Sequence, residues 1–336
     1  MATHDFKSTT WQAFLTEKGA QIAADNSVSW PQARQSADAA SMIPLLHRSQ
    51  ILVSGADAEL FLQGQLSCDV RKLSDQRAQL CSYNSAKGRM LAVLSAWRTA
   101  DGYLLETETE LIEPLIKRLR MFVLRAKVSI EQQPLAILGW LGALPEPWQA
   151  DDLDFAVTRL DELQAIRWPS PAGPRYSISG PTAAVAQLCD APMAPAAWGS
   201  TQQWRAADIA SGLPTVFAST QDHFVAQMAN LDHWGGLAFD KGCYTGQEVI
   251  ARLHYRGAVK RRMFSGHTQG SGLQPGTEVY AASTEQAVGE VANVAQLQGR
   301  SLLSVVLKLD AAEQALHIGE PQGPALTLEA TAPTDG

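Results

Sequence analysis

The hydrophobic pattern of this chain never settles into strand–helix–strand alternation, and that constrains its fold more than any other feature. Apolar runs of strand length come in pairs separated by turn residues, with Lys87–Gly88 and Asp101–Gly102 the clearest turns. Leu111, Leu115, Ile116 and Leu119 then mark one face of a helix with Pro114 in its first turns, and Lys127–Ile130 returns as a short strand. Upstream, Trp11, Phe14, Leu15 and Ile22 predict a helix over 9–24. Leu45–Val53 predicts a strand, followed by a helix that carries Leu60, Phe61 and Leu62 and is capped by Asp57. From Gly266 onward, Gly and Pro punctuate the runs Glu278–Ala281, Val288–Val294, Ser301–Leu309 and Ala325–Leu328, the texture of a small β-barrel or sandwich. The fold class is therefore α+β with antiparallel sheets. At 336 residues two or three domains are expected. Pro134, Pro145 and Pro147 mark one boundary and the Pro/Ala-rich stretch Ala191–Ala197 another, while Ala330–Gly336 reads as a frayed end.

Charge and cysteine usage narrow the function classes. The formal net charge is −7, which argues against a broad phosphate-tracking surface. The four cysteines, Cys68, Cys81, Cys189 and Cys243, show neither CxxC nor zinc-finger spacing, so no metal site and no disulfide framework is expected. Sparse thiols suit a reducing compartment. Met1–Trp30 lacks the apolar core of a signal peptide, and no run of 18 apolar residues occurs anywhere. The expected location is the cytoplasm, with no membrane span.

The chemistry concentrates in DKGCYTGQEVIARLHYRGAVKRR, residues 240–262. Thr245 and Glu248 have capping-box spacing and predict a helix from Gly246, with Val249, Ile250 and Leu253 facing the core and Arg252 and Arg256 sharing another face. Cys243 then lies just before the helix N-terminus, which carries about half a positive charge, and Lys241 is two residues away. Both favour the thiolate form. Gly242 and Gly246 leave the sulfur little side-chain cover. A small buried hydrophobe is the competing reading of Cys243 and carries similar weight; it is the stronger reading for the other three cysteines. Between Val249 and Thr277 there is no acidic residue, while Arg252, Arg256, Lys260, Arg261 and Arg262 are all cationic. Such an island could seat an anion, a folate tail or an RNA phosphate, or be a solvated face balanced by acids elsewhere in the fold. Trp204 is the leading platform for a flat heterocycle, ahead of Trp198, Phe224 and Trp234, although a tryptophan is more often core. Arg205 beside it could meet a carboxylate.

KGCYTGQE, residues 241–248, resembles the signature of the YgfZ family, in the glycine-cleavage T-protein superfamily. FLQGQLSCDV at 61–70, SAKGRM at 85–90, QQWRAADIASGLP at 202–214 and MANLDHWGGLAFDKGCY at 228–244 resemble family segments in the same order. The resemblance implies an α+β, three-domain ring of the T-protein type with a C-terminal antiparallel β-barrel. Its parts would be an N-terminal extension over 1–44, a discontinuous folate-binding domain over 45–134 plus 201–262, a smaller α+β domain over 135–200, and a barrel over 263–330. It implies tetrahydrofolate or a derivative as cofactor. It also implies support of iron–sulfur client enzymes such as tRNA-methylthiolating proteins, a weak tRNA contact and a monomer. The family's reactive cysteine falls on Cys243, with Lys241 beside it and Gly242, Tyr244, Thr245, Gly246, Gln247 and Glu248 shaping the loop. Its folate-contacting tryptophan falls on Trp204, while a second tryptophan of some members would fall near Arg48, which is not aromatic. T-proteins also place an aspartate pair after the hairpin, whereas Lys87–Val93 has no carboxylate. That favours an accessory protein over an aminomethyltransferase or other one-carbon transferase. A folate-sensing or RNA-binding regulator with a structural cysteine is the third reading.

Overall fold

The structure, a computed structural model, describes residues 5–31, 40–191 and 197–329. Most of the Ala191–Ala197 boundary and the whole Ala330–Gly336 end lie outside them. Among the described residues the α-helices are α1 (Asp5–Glu17), α2 (Ala58–Gln63), α3 (Thr109–Val123), α4 (Thr182–Asp190), α5 (Thr201–Ala210) and α6 (Gln247–Arg256). The chain packs as two compact units, and neither is a continuous segment. The first comprises Met1–Ala58, Leu73–Gln79 and Ser95–Trp204; the second comprises Glu59–Lys72, Leu80–Leu94 and Arg205–Gly336.

The first unit is built on a six-stranded sheet in the order Val157–Leu160, Leu163–Arg167, Arg175–Gly180, Ala136–Leu141, Ser41–Pro44, Ala197–Trp198. Every pair is antiparallel except the last. Leu138, Trp140, Tyr176 and Ile178 from the sheet pack with Trp11 and Leu15 of α1 and Val185 of α4. The predicted helix over 9–24 is shorter than expected. Gly19 takes φ +95°, the main-chain N–H groups of Gly19 and Ala20 close onto the carbonyls of Thr16 and Leu15, and the helix ends. Ile22 accordingly sits in a two-residue strand paired with Val28–Ser29.

A second, five-stranded sheet runs Gln79–Asn84, Met90–Thr99, Gly102–Glu108, Arg48–Ser54, Ser129–Gln133. Its longest strand, Met90–Thr99, carries the chain from the second unit into the first. The turns expected at Lys87–Gly88 and Asp101–Gly102 are present, with Gly88 at φ +71° and Gly102 at φ +146°. Helix α3 buries Leu111, Ile112, Leu115 and Leu119 against this sheet. Ile112 thus takes the place expected for Ile116, which is half-buried. Asp57 does not act as the expected cap of α2; its carboxylate accepts the Lys127 N–H at 2.7 Å. The reason is local. At Gly55 a Cβ would sit 2.2 Å from the Lys127 carbonyl oxygen, so the two backbones touch there and Asp57 is drawn into that contact.

The second unit contains a closed six-stranded antiparallel barrel: Arg261–Gln269, Arg300–Lys308, Ala287–Leu297, Glu278–Ala281, Leu316–Ile318, Ala325–Leu328. Val279, Val291, Leu303, Val305, Leu307, Leu316 and Ile318 fill it. Four strands match the runs read from sequence. The other two do not: Arg261–Gln269 starts inside the basic stretch, and Leu316–Ile318 has only three residues.

Candidate functional site

Of the four cysteines, Cys243 alone is exposed. It lies on the loop entering α6, and that loop is fixed from both sides within the second unit. On one side is Gly246, the N-cap residue of α6, at φ +82°. A Cβ on Gly246 would stand 2.6 Å from the Ser85 carbonyl oxygen and 2.7 Å from the Gly88 Cα, so the loop lies directly against the 85–88 turn. This corrects the expected capping box: no side chain caps α6, Thr245 is outside the helix, and the helix begins at Gln247. Only glycine fits the contact with the turn, and it occupies the cap position. Cys243 therefore stands in the loop, four residues before Gln247, the first helical residue.

On the other side is Lys241. Its ammonium is buried and donates to the carbonyl oxygens of Leu66 at 2.8 Å and Cys68 at 2.6 Å, with the Tyr244 ring 4.9 Å away. Burial holds its basicity below that of an ordinary lysine. These hydrogen bonds go to main-chain carbonyls, so Lys241 anchors the loop that carries Cys243. Ser67 extends the anchor, accepting the Ser82 N–H and donating to the Gly236 carbonyl. Sequence spacing could not reveal this, because residues 66–68, 82 and 241 meet only in three dimensions.

Beneath the loop is a buried pair that sequence reasoning treated as unrelated. The antiparallel bridge Leu66↔Tyr83 sets Cys68 opposite Cys81. The hydrogen bond that the neutral Cys81 thiol shares with Cys68, together with complete burial, pushes that thiol well above its usual range. Tyr244 is also buried, and burial raises its phenol to about 12. The Tyr244 hydroxyl, and both ends of the buried Asn84 amide, have no protein hydrogen-bond partner among the described residues. Such orphaned polar atoms are costly unless a water, an ion or a ligand meets them.

The outer face of α6 is cationic and aromatic. Arg252 and Arg256 are exposed, as is Glu248, while Gln247 and Thr245 are half-buried. Of the residues expected in the core, only Ile250 is fully buried. His254 stacks on Phe239 at 3.9 Å, and Tyr255 meets both edge-on while remaining 67% exposed. This aromatic group went unnoticed in sequence. Arg262 leaves the expected anion seat: it is buried, paired with Asp232 at 2.8 Å and bonded to the Gln227 carbonyl. A carboxylate missing from 87–93 arrives from elsewhere, since Asp222 accepts the Ser85 hydroxyl at 2.6 Å.

Trp204 lies inside the fold. Its side chain belongs to the core of the first unit, 2% exposed, with the Arg175 guanidinium 4.6 Å over its ring and Trp168 edge-on at 6.4 Å. A Cβ on Gly139 would come within 2.7 Å of the same ring. The ring is thus enclosed by its neighbours rather than presented as an open platform. Arg48, at the position of the second tryptophan of some members, lies 5.4 Å from the Trp168 ring and pairs with Glu106 at 3.1 Å. Arg205 is half-buried over Phe217. Trp198 stacks on Trp30, Phe224 is buried, and the Trp234 indole N–H donates to the Gly212 carbonyl.

Comparison with known proteins decides the family. A protein of Yersinia pestis (strain Pestoides F), "tRNA-modifying protein YgfZ", is 31% identical over 231 residues, covering 67% of this chain and 70% of that protein. The chain belongs to the YgfZ family. The protein of the same name from Escherichia coli O157:H7 is 32% identical over 220 residues, covering 63% of this chain and 67% of its own. No protein-family model matches the chain. The crystal structure of glycine cleavage system aminomethyltransferase T from Bartonella henselae superposes with a TM-score of 0.72 at 13% identity, covering 96% of each chain, which establishes the T-protein type of fold. No helix among the described residues is long and apolar enough to cross a membrane.

Proposed function

We propose that this chain is a folate-binding accessory protein for iron–sulfur enzymes of tRNA modification, tRNA methylthiolation among them, and that it acts in the cytoplasm through the Cys243 thiol. The observation that carries the reading is the contrast among the cysteines: three are sealed in the protein, and the fourth is exposed on a loop pinned by Lys241 and Gly246. A thiol that serves a client's sulfur or iron chemistry needs such access and such rigidity. Relatives carrying the name "tRNA-modifying protein" point to the same process.

Tetrahydrofolate or a derivative is the cofactor of this reading, and it would supply one-carbon chemistry. The residues present fit it in one respect. Asn84 and Tyr244 hold buried donors and acceptors without protein partners, which the hydrogen-bonding edge of a pterin could satisfy. Arg252 and Arg256 would meet the anionic tail or an RNA phosphate. The enclosed Trp204 ring gives no comparable support.

In cells lacking the native protein, Cys243→Ala should fail to restore tRNA methylthiolation while folding normally, because the side chain it alters is exposed. Full restoration would remove the thiol from the mechanism. Alkylation of Cys243 across pH, with and without tetrahydrofolate, then tests whether ligand and thiol are coupled.

One-carbon transfer has one observation in its favour, the Asp222 carboxylate beside the 85–88 turn. Folate-dependent turnover of an aminomethyl donor by the purified protein, abolished in Asp222→Asn, would establish that reading instead.

A further inference from the structure

The C-terminal turn of α3 carries an exposed apolar group that the fold does not use. Met121, Phe122 and Leu124 are 59%, 49% and 88% exposed. Met121 and Leu124, with Val123, Val128 and Ile130, border an open depression of about 420 Å³, and Phe122 lies outside its lining. Adjacent large apolar side chains left in water on one surface mark interaction sites more often than accidents.

Leu124 adds an independent observation. It stands at the C-cap of α3 with φ +46° and ψ −101°, a conformation that strains any residue with a Cβ and that glycine adopts freely. A leucine here gains nothing from burial and is held in an unfavourable backbone region. Local strain of this kind, kept where the fold draws no benefit, points to a role outside the fold.

Charge defines what could cover the patch. Arg120 lines the depression, and Lys117, Arg118, Arg125 and Lys127 on the same segment are exposed. No acidic residue occurs from Pro114 to Ile130, and among the described residues the acids bonded to this stretch are Asp57, on the Lys127 N–H, and Glu131, on the Ser129 hydroxyl. Five cations against two acids is still an excess of positive charge on a chain of net charge −7. Phosphates could match the cations but would leave three large apolar side chains against a hydrated backbone. A protein surface with an apolar centre and a carboxylate rim satisfies both halves, following the usual anatomy of protein interfaces. The strand Ser129–Gln133, which follows directly, is the last in its sheet and pairs only with Arg48–Ser54 among the described residues. The surface is therefore open along that edge as well.

We propose that the end of α3 and the segment leading to strand Ser129–Gln133 form a docking site for a partner protein, through an apolar segment flanked by Asp and Glu. Leu124 is its central anchor, and Arg118, Arg125 and Lys127 form its charged rim. The inference stands on the first unit alone and does not depend on the chemistry proposed for Cys243.

The test places a photo-reactive benzophenone amino acid at Met121 in the full-length chain, in cells of the source organism or of a host carrying a relative. Adducts are identified by mass spectrometry. The expected result is an adduct to one identified protein, mapped to a segment where apolar residues are flanked by Asp or Glu. Its yield should fall about tenfold or more in Leu124→Gly and in the pair Arg118→Glu with Arg125→Glu. Leu124→Gly should melt no lower than the parent chain, which separates lost docking from lost fold. Adducts to RNA, to lipid or to a second copy of this chain would overturn the proposal. So would a yield indifferent to Leu124, the absence of any adduct, or a Leu124→Gly variant that melts several degrees lower.

Discussion

Tyr244 is where the chemistry of the loop can be read as stability. Burial disfavours the anion and pushes its phenol up to about 12, from the ordinary tyrosine value of about 10. Between those two values the unfolded chain has released a proton that the folded chain keeps. The contribution is complete below pH 10 and is lost as pH rises towards 12, amounting to roughly 2–3 kcal/mol over the window. Tyr244→Phe should flatten that part of the stability profile, measured by urea unfolding at several pH values. Near neutrality the same variant should be as stable as the parent or more so, because it removes a buried hydroxyl without a protein partner. If folate uses that hydroxyl, the variant should also bind tetrahydrofolate more weakly by titration. Lys241 behaves in the opposite sense. Its basicity is lowered by burial, so the folded state gains stability as pH rises through its depressed ionisation towards 10.5. Lys241→Met leaves the Leu66 and Cys68 carbonyls without their donor and should cost about 1–3 kcal/mol in urea unfolding at pH 7.

Among the elements, the start of α6 depends on the 85–88 turn more than on its own sequence. Gly246→Ala adds a Cβ to a φ of +82° and sets it 2.6 Å from a carbonyl oxygen, so the loop must shift. The expected cost is about 1–3 kcal/mol. The alkylation rate of Cys243 should change with it, read by mass spectrometry at fixed pH. In the barrel, Gly289 has the same constraint between strands. A Cβ there would meet the Val306 carbonyl oxygen at 2.4 Å and Leu307 Cδ2 at 2.3 Å. Gly289→Ala should therefore destabilise the barrel while leaving the 241–246 loop intact. Hydrogen exchange would resolve the two effects, with protection lost in residues 287–308 and unchanged around 66–82.

At the scale of the whole molecule, the interleaving of the two units matters most. Residues 205–336 hold the barrel, α6 and Cys243, but the supports of the loop come from 59–72 and 80–94. A fragment of residues 205–336 has every strand of the barrel and none of those supports. It should keep slow amide exchange in the barrel while residues 236–246 exchange freely. Slow exchange of that loop in the fragment would show that α6 and the barrel hold it without Ser67, Ser82 and the Leu66 and Cys68 carbonyls. The long strand Met90–Thr99 has residues in both units, so no single cut releases either one whole.

The sequence by itself determined what depends on neighbours along the chain. Period-two and helical patterns, turn glycines and the KGCYTGQE run placed four of the six barrel strands, the face of α3 within one residue, the hairpins, the family and the one cysteine worth singling out. Tertiary structure decided everything that depends on distant segments sharing a volume. It turned Lys241 towards carbonyls more than 170 residues away in sequence, set Cys68 against Cys81, closed Arg175 over Trp204 and brought Asp222 to the 85–88 turn. The physical reason is the range of the forces. Backbone propensity and hydrophobic periodicity act over a few residues, whereas desolvation and hydrogen-bond pairing depend on whatever packing brings alongside.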